Sequence, residues 1–483
     1  MSQHSILEEL MASMRAATCL SGLALAGCTV GPDFHSPQTD LAPFHNTALV
    51  TQGNAAASAT SLSAYWTNFN DPVLTDIVRR TLAQNLSLTA ALARVQEARA
   101  AAGEAGAQLL PTADANAQAT ALHQSLYSPL GAIAKNLPGY NRDQRVYDVG
   151  AKASWEIDLF GGLRRGAEAA RAEAQAAEAE NIGTQVTVVA EASDAYFQIR
   201  GDQERLQVAQ QQIDTDQRLV TLVEKRLAAG AAADRELDEA TALLTQAQSA
   251  VPPLQTDLEA QCNRLDILMG LQPGSYARTL RPRPQPDAVP PVPADITPQA
   301  MLQRRPDVLA AQAQLRAANA RIGVAVSSYY PKISLAGLLG FESLDANRFF
   351  TGTAFQPQVV AGLRWRLFDF GKIDDEVKQA KGSYAESLAN FRMSILAATG
   401  DVENAMMALA QDEQEESDLQ HEVTALQKSR DSSQRSYAGG SIPLTDVLDA
   451  DRELLQAQDG LAQIRATTER DSVSLFRSLG GGW

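Results

Sequence analysis

The sequence predicts a mixed α+β fold: a tandemly duplicated chain in which two β-hairpins alternate with very long α-helical hairpins. Three observations carry this reading. One pattern occurs twice along the 483 residues, each copy holds two stretches of alternating apolar and polar residues, and each holds a long stretch without proline.

The duplication comes first, because repeats decide architecture. AQLLPTADA (107–115) pairs with SSYYPKISL (327–335), setting Pro111 against Pro331. WEIDLFGG (155–162) pairs with WRLFDFGK (365–372), so that Trp155, Phe160 and Gly161 meet Trp365, Phe370 and Gly371 at an offset of 210. The same offset carries RLAAGA (226–231) onto SYAGGS (436–441), and Leu244, Ala247 and Gln248 onto Leu454, Ala457 and Gln458. The proline pair is offset by 220, so the first copy is longer between Pro111 and Trp155. Its Pro, Gly and Asn punctuation over 121–145 reads as a loop.

At the N-terminus, Leu25-Ala26-Gly27-Cys28 looks like a lipobox, which makes 1–27 a lipoprotein signal and Cys28 the acylated first residue of the mature chain. An ordinary cleaved signal with an incidental cysteine is the alternative. Residues 1–13 hold Glu8 and Glu9 and no Lys or Arg, so a start at Met11 or Met14 gives the better signal. Residues 28–70 read as an extended N-terminal segment. Of three cysteines only Cys262 lies elsewhere, so no intramolecular disulfide is expected, and no His/Cys spacing suggests a metal. The net charge of -16 disfavours nucleic acid as a partner. Outside 16–27 no apolar run approaches a membrane helix, a test that is silent on β-barrels.

The first repeat (71–280) opens with a helix over roughly 72–109, capped by Asp71 with Pro72 in its first turn. Two strands follow within a hairpin spanning 112–159. Over 146–159 the odd positions are Tyr147, Val149, Ala151, Ala153, Trp155, Ile157 and Leu159, and polar or small residues dominate the even ones. From Gly162 to about Leu227 no proline interrupts a helix on the order of 100 Å long. Its return helix covers roughly 233–269 and should kink or break at Pro252-Pro253. A Pro-rich linker, 281–298, leads to the second repeat (299–483): a helix from Pro306, a β-hairpin over 332–369, and a helical hairpin over 372–478. Helices of this length signal coiled coil. The alternating strands suit either a barrel wall or a sheet over an ordinary core. Four strands cannot close a barrel and hydrocarbon does not tolerate open edges, so a membrane reading demands an oligomer.

These features together resemble the outer membrane factors, the channel subunits of tripartite efflux systems. The residues that carry the resemblance are Cys28 with Gly31-Pro32-Asp33, WTNFNDPVL (66–74), RRPDVLAAQAQL (304–315), YYPKISL (329–335), LFDFG (367–371), SYAGGSIPLTDVLDA (436–450) and LGGGW (479–483). The resemblance implies a homotrimer with a twelve-stranded transmembrane barrel, continuous with a periplasmic α-helical coiled-coil barrel. It also implies a periplasmic adaptor protein and an inner membrane pump as partners, contact with outer membrane lipid, no cofactor beyond the lipid on Cys28, and no catalytic or metal site.

Carried onto this sequence, the family's pattern puts Arg226, Leu227 and Gly230, and Tyr437, Gly439 and Gly440, at hairpin tips that meet the adaptor. Helix capping alone also explains such glycines. Asp446 and Asp449 match aspartates that ring a closed periplasmic entrance, and a helix-dipole match accounts for acidic residues there equally well. Arg305, Pro306 and Asp307 read as structural residues opening the second copy's helix. The expected function is passive export of small molecules such as drugs, toxic solutes or metals. A conduit for protein secretion and a non-channel coiled-coil scaffold or adhesin are the alternatives. No nucleophile elbow, phosphate loop or metal-ligand spacing supports an enzyme.

Overall fold

The computed structural model describes residues 29–51, 62–282, 289–292 and 297–483. Cys28 and the signal segment lie outside the described residues. In the first copy, α1 (Pro72–Gln84) and α2 (Leu86–Ala107) precede β1 (Thr112–His123), a short helix α3 (Pro129–Ala134) and β2 (Asp143–Ile157). Then come α4 (Gly162–Ala228), α5 (Asp234–Ser249) and α6 (Val251–Leu268). The second copy runs α7 (Pro298–Arg304), α8 (Pro306–Ser327), β3 (Lys332–Ser343), β4 (Phe355–Arg364), α9 (Lys372–Ala438) and α10 (Leu444–Ser478). The two long helices α4 and α9 each contain 67 residues.

Two departures from the sequence reading are informative. The stretch 72–109 is not one helix. It breaks at Asn85, whose backbone is extended (φ -65°, ψ 127°). Asn85 is buried, and its Nδ2 donates to Leu268 O at 2.8 Å while Oδ1 accepts from Leu88 N. The second copy breaks at the residue 220 positions on, Arg305 (φ -69°, ψ 114°), whose Nη1 donates to Ser478 O at 3.2 Å. A buried side chain at a helix break thus satisfies the last carbonyls of the return helix in both copies. Only the second copy marks the break with a proline. The other departure is that β4 stops at Arg364, short of the alternation extended through Leu367, and β1 and β2 reach into the stretch read as loop. At Pro252-Pro253 the return arm divides into α5 and α6 around Ala250, while α10 is continuous.

The described residues fall into two compact units. One comprises residues 29–36, Gln96–Gln175 and Gln312–Ala389, and it contains the sheet. Its strands pair antiparallel in the order β1-β2-β3-β4, with β2–β3 joining the copies. Register aligns the alternation across all four strands: Ala113, Ala153, Gly337 and Val359 share one row, and Ala117, Val149, Phe341 and Phe355 another. The opposite face carries Asp114, Lys152, Leu338 and Gln358 in one row and Asn116, Gly150, Gly340 and Gln356 in the next. The apolar face covers no core, since Val359 is 78% exposed and Leu339 62%. A sheet laid over an ordinary core would bury such residues. The duplication is legible in detail here: Trp155 Nε1 donates to Leu109 O and Trp365 Nε1 to Tyr329 O, both at 2.9 Å.

The N-terminal segment is bound in the same unit by close backbone approach. Val30 N donates to Phe160 O at 3.0 Å, and Asn319 Nδ2 to Pro32 O at 2.9 Å. Arg165 Nη2 reaches Asp33 Oδ1 at 2.7 Å. Gly31 has φ +91°, and a Cβ there would stand 2.4 Å from Gly323 Cα. Both conformation and space therefore demand glycine at 31.

The second unit comprises the described residues of Pro37–Val95, Ala176–Ala311 and Asn390–Trp483. Its main apolar cluster gathers Tyr65, Leu74, Ile77, Tyr196, Phe197, Leu265, Met269 and Phe476, with Tyr65 stacked on Phe476 at 5.3 Å. Gly270 (φ +70°) and Gly480 (φ +76°) end the two return arms identically. Gly270 N donates to Ile267 O and Leu271 N to Asp266 O; Gly480 N donates to Arg477 O and Gly481 N to Phe476 O. This is the left-handed glycine closure of a helix C-terminus, and it explains the first glycine of LGGGW, Gly480. Gly31→Ala should loosen the N-terminal segment by about 1–3 kcal/mol. Chymotryptic cleavage after Phe34 is expected to accelerate at least about tenfold while the rest of the chain stays resistant; unchanged cleavage would show that the crossing tolerates a methyl group.

Candidate functional site

Both hairpin tips close by the same backbone device. At the first, Gly230 (φ +71°) donates to Leu227 O at 2.9 Å and Ala231 N to Arg226 O at 2.8 Å. At the second, Gly440 (φ +74°) donates to Tyr437 O and Ser441 N to Ser436 O, both at 2.9 Å. Gly230 and Gly440 are therefore required by the turn. Gly439 has no positive φ, its counterpart is Ala229, and an added Cβ would meet nothing closer than 3.5 Å. Nothing in the backbone requires glycine at 439, and residues 228–231 and 438–441 form the exposed surface of the tips.

The flanking residues join the tips to each other. The Arg226 guanidinium lies over the Tyr437 ring, 4.3 Å from its centroid, and Nη1 donates to Tyr437 O at 2.6 Å. The Tyr437 hydroxyl donates to Glu236 Oε2 at 2.9 Å. Tyr437 is only 2% exposed. Burial, and then the Glu236 carboxylate accepting its proton, pushes the phenol up to about 12, so it remains a donor at any physiological pH. This corrects the expectation for Tyr437: its ring is buried beneath Arg226 and is not offered to a partner. Leu227 is half-buried. Below the lock, Leu219, Val220 and Val223 of α4 pack with Leu444, Val447 and Leu448 of α10. Glu236, the acceptor, escaped the sequence reading as a lock residue. The signal was available in its position six residues after Gly230, matching Asp446 six after Gly440.

Asp446 and Asp449 lie on the exposed face of α10, opposite Leu444, Val447 and Leu448. Asp446 is in the first turn, where the helix dipole favours an acid. Asp449 pairs with Arg452 at 3.1 Å, with both side chains more than half exposed. The copies differ here: Glu236 is taken up by Tyr437, while its counterpart Asp446 faces outward.

Arg305 and Pro306 are buried, and Arg305 reaches out from them to the exposed Asp307. Arg305 Nε and Nη2 hold Asp307 in a two-point contact at 2.9 and 2.6 Å, and Nη2 also reaches Asp401 at 2.9 Å. Burial opposes the charge on Asp307, but the hydrogen bonds and charge of Arg305 outweigh it and hold the carboxyl below its usual range. With the bond to Ser478 O, one side chain links the starts of α8 and the end of α10 to α9. No group of His, Cys, Asp and Glu side chains among the described residues is placed to hold a metal. Cys262 is buried, which pushes its thiol up to about 11.

Comparison with known proteins identifies the class. The sequence pattern of the family described as "Outer membrane efflux protein" matches residues 77–271 and 297–481, one stretch in each copy. The chain belongs to that family. It is 30% identical over 441 residues to the pyoverdine export outer membrane protein OpmQ of Pseudomonas putida, covering 89% of this chain and 91% of that one. It is 27% identical over 466 residues to the cation efflux system protein CusC of Escherichia coli K12, covering 95% and 97%. The solved outer-membrane channel OprN superposes with a TM-score of 0.85 at 31% identity, over 94% of this chain and all of the other. Membership makes the chain an outer membrane transport channel protein and not an enzyme.

The two glycines of the second tip provide a test. Gly440→Ala should cost about 1–2 kcal/mol through its left-handed backbone, whereas Gly439→Ala should be neutral or slightly stabilising. Thermal unfolding of both variants distinguishes them, and equal losses would contradict the assignment.

Proposed function

We propose that three copies of this chain close a twelve-stranded barrel in the outer membrane and a helical tunnel in the periplasm, forming a passive export conduit. The observation that carries this reading is the sheet: it ends in two unpaired strands, β1 and β4, and presents an apolar face left largely exposed, with Phe350 of the β3–β4 turn packed on Phe341 at one end. Pairing β4 of one copy with β1 of the next satisfies both edges, and lipid accommodates the apolar face. A lipid on Cys28 would anchor the chain beside the membrane.

In this reading a periplasmic adaptor meets the exposed turns 228–231 and 438–441 and hands over what an inner membrane transporter has selected. The Arg226–Tyr437–Glu236 contact is the latch that keeps a chain's two tips together. Asp446 and Asp449, brought near a three-fold axis, become six carboxylates at the entrance, attracting cations and repelling one another. Cargo stays at the level of small solutes, because the relatives named above divide between pyoverdine export and cation efflux. The largely exposed apolar face also argues against a soluble scaffold or adhesin, whose sheet would need a core.

Single-channel recording of the purified full-length protein tests the reading. The parent should give small, cation-selective openings. Tyr437→Phe, which deletes only the donor to Glu236, should raise mean conductance or open probability several-fold, in line with a lost hydrogen bond worth about 1–2 kcal/mol. Asp446→Asn with Asp449→Asn should reduce cation preference. An oligomer that carries no current in any of these forms would refute the conduit.

A further inference from the structure

One turn further along both helices from the apolar cluster beneath the tips lies a group of charges that the latch does not use. Asp216 of α4 is fully buried; Oδ1 accepts from Gln212 Nε2 at 2.7 Å, and Oδ2 has no hydrogen-bond partner. Asp451 of α10 is fully buried as well. The cation facing both is Arg430 of α9, whose Nε stands 3.6 Å from Asp451 Oδ1 and 3.6 Å from Asp431 Oδ1, beyond hydrogen-bonding distance from either. Asp431 is half-exposed, and the neutral Gln434 also faces Asp451. On α5 the nearby acids are engaged elsewhere, Glu236 by Tyr437 and Glu239 by Arg235.

Asp216 belongs to the first copy's hairpin and Asp451 to the second's, and the charge of Asp451 acts on Asp216 across the seam between hairpins without a hydrogen bond joining the two carboxyls. A single guanidinium, already shared with Asp431, cannot balance two buried carboxylates. Burying an ion without a paired counter-charge costs several kcal/mol, and such a group takes up a proton instead. We propose that the seam is a proton-linked clasp: the hairpins pack with Asp216 and Asp451 each taking up a proton on its own carboxyl, and those protons are released to solvent when the hairpins separate. No bond other than O–H forms or breaks, and water accepts the protons.

The sign follows from the protonation of each state. Burial, with the Asp451 charge adding to it, pushes Asp216 up to about 7. Burial pushes Asp451 up to about 6, against the pull of Arg430. In separated, hydrated hairpins both return to the ordinary carboxylate value of 3.8. The packed state therefore binds more protons from about pH 4 upward. Its extra stability is present on the acid side and is lost as pH rises through 6 to 7. If the chain is the conduit proposed above, acid closes the tips and neutral pH loosens them; the clasp itself is a property of the hairpins and can be read without a pore.

Hydrogen exchange on the full-length protein, corrected for the intrinsic pH dependence of exchange, reads it directly. Between pH 5.5 and 7.5, protection over 216–224 and 444–452 should fall at least about tenfold, while 254–268 around Leu265 stays unchanged. Asp216→Asn and Asp451→Asn should each flatten that profile. Should one variant fail to fold, the parent profile and the other variant decide. Protection that is independent of pH in the parent, or that keeps its full slope in the variants, would overturn the clasp. A chain that conducts normally with such flat protection would refute the clasp alone.

Discussion

Unpaired backbone sets the terms on which this chain can exist. The outer edges of β1 and β4 each present a row of N–H and C=O groups, and the apolar face between them has no core beneath it. In water such a sheet is an invitation to aggregate, and in hydrocarbon each unsatisfied group costs several kcal/mol. In the conduit proposed above, joining β4 of one copy to β1 of the next removes both penalties. Much else follows from that requirement, including a duplicated chain that supplies four matched strands and the rows of alanine, valine and leucine kept in register across the join between copies.

Duplication supplied symmetry, and divergence then assigned tasks. Asn85 and Arg305 occupy the same place, each reaching back to the end of a return arm, yet only Arg305 also gathers Asp307 and Asp401. Glu236 and Asp446 occupy the same place, yet one is held by a tyrosine and the other is left in solvent. The first return arm divides at its proline pair and the second does not. In each case the shared backbone solution survives while the side chain has been put to a different use, so one hairpin can act as the fastening and the other as the exposed lip.

The periodicities were the legible part of the sequence. Alternation located all four strands, the absence of proline located α4 and α9, and the glycines of the turns located the tips. What escaped was whatever depends on a neighbour distant in sequence. Asn85 carries no breaker signal of its own; only the duplication offset from Arg305 would have disclosed it. Tyr437 reads as an exposed tip residue until Arg226, from the other copy, is found covering it. Asp216 and Asp451 read as ordinary charges on amphipathic helices, since burial between hairpins leaves no mark on local spacing. Gly439 erred the other way, suggesting a constraint that belongs to Gly440 alone.

The seat of residues 30–33 has a consequence for how the chain acquires its structure. Val30, Gly31 and Pro32 are fixed by Phe160, Gly323 and Asn319, and the Pro32–Asn319 bond closes a separation of 287 residues. Residues 30–33 are thus placed only late, because their site does not exist until the second copy's α8 has formed. Contacts of such range are slow to close and reward the chain only at the end. The seated segment is therefore a late seal, and its presence certifies that both repeats have been made and folded together.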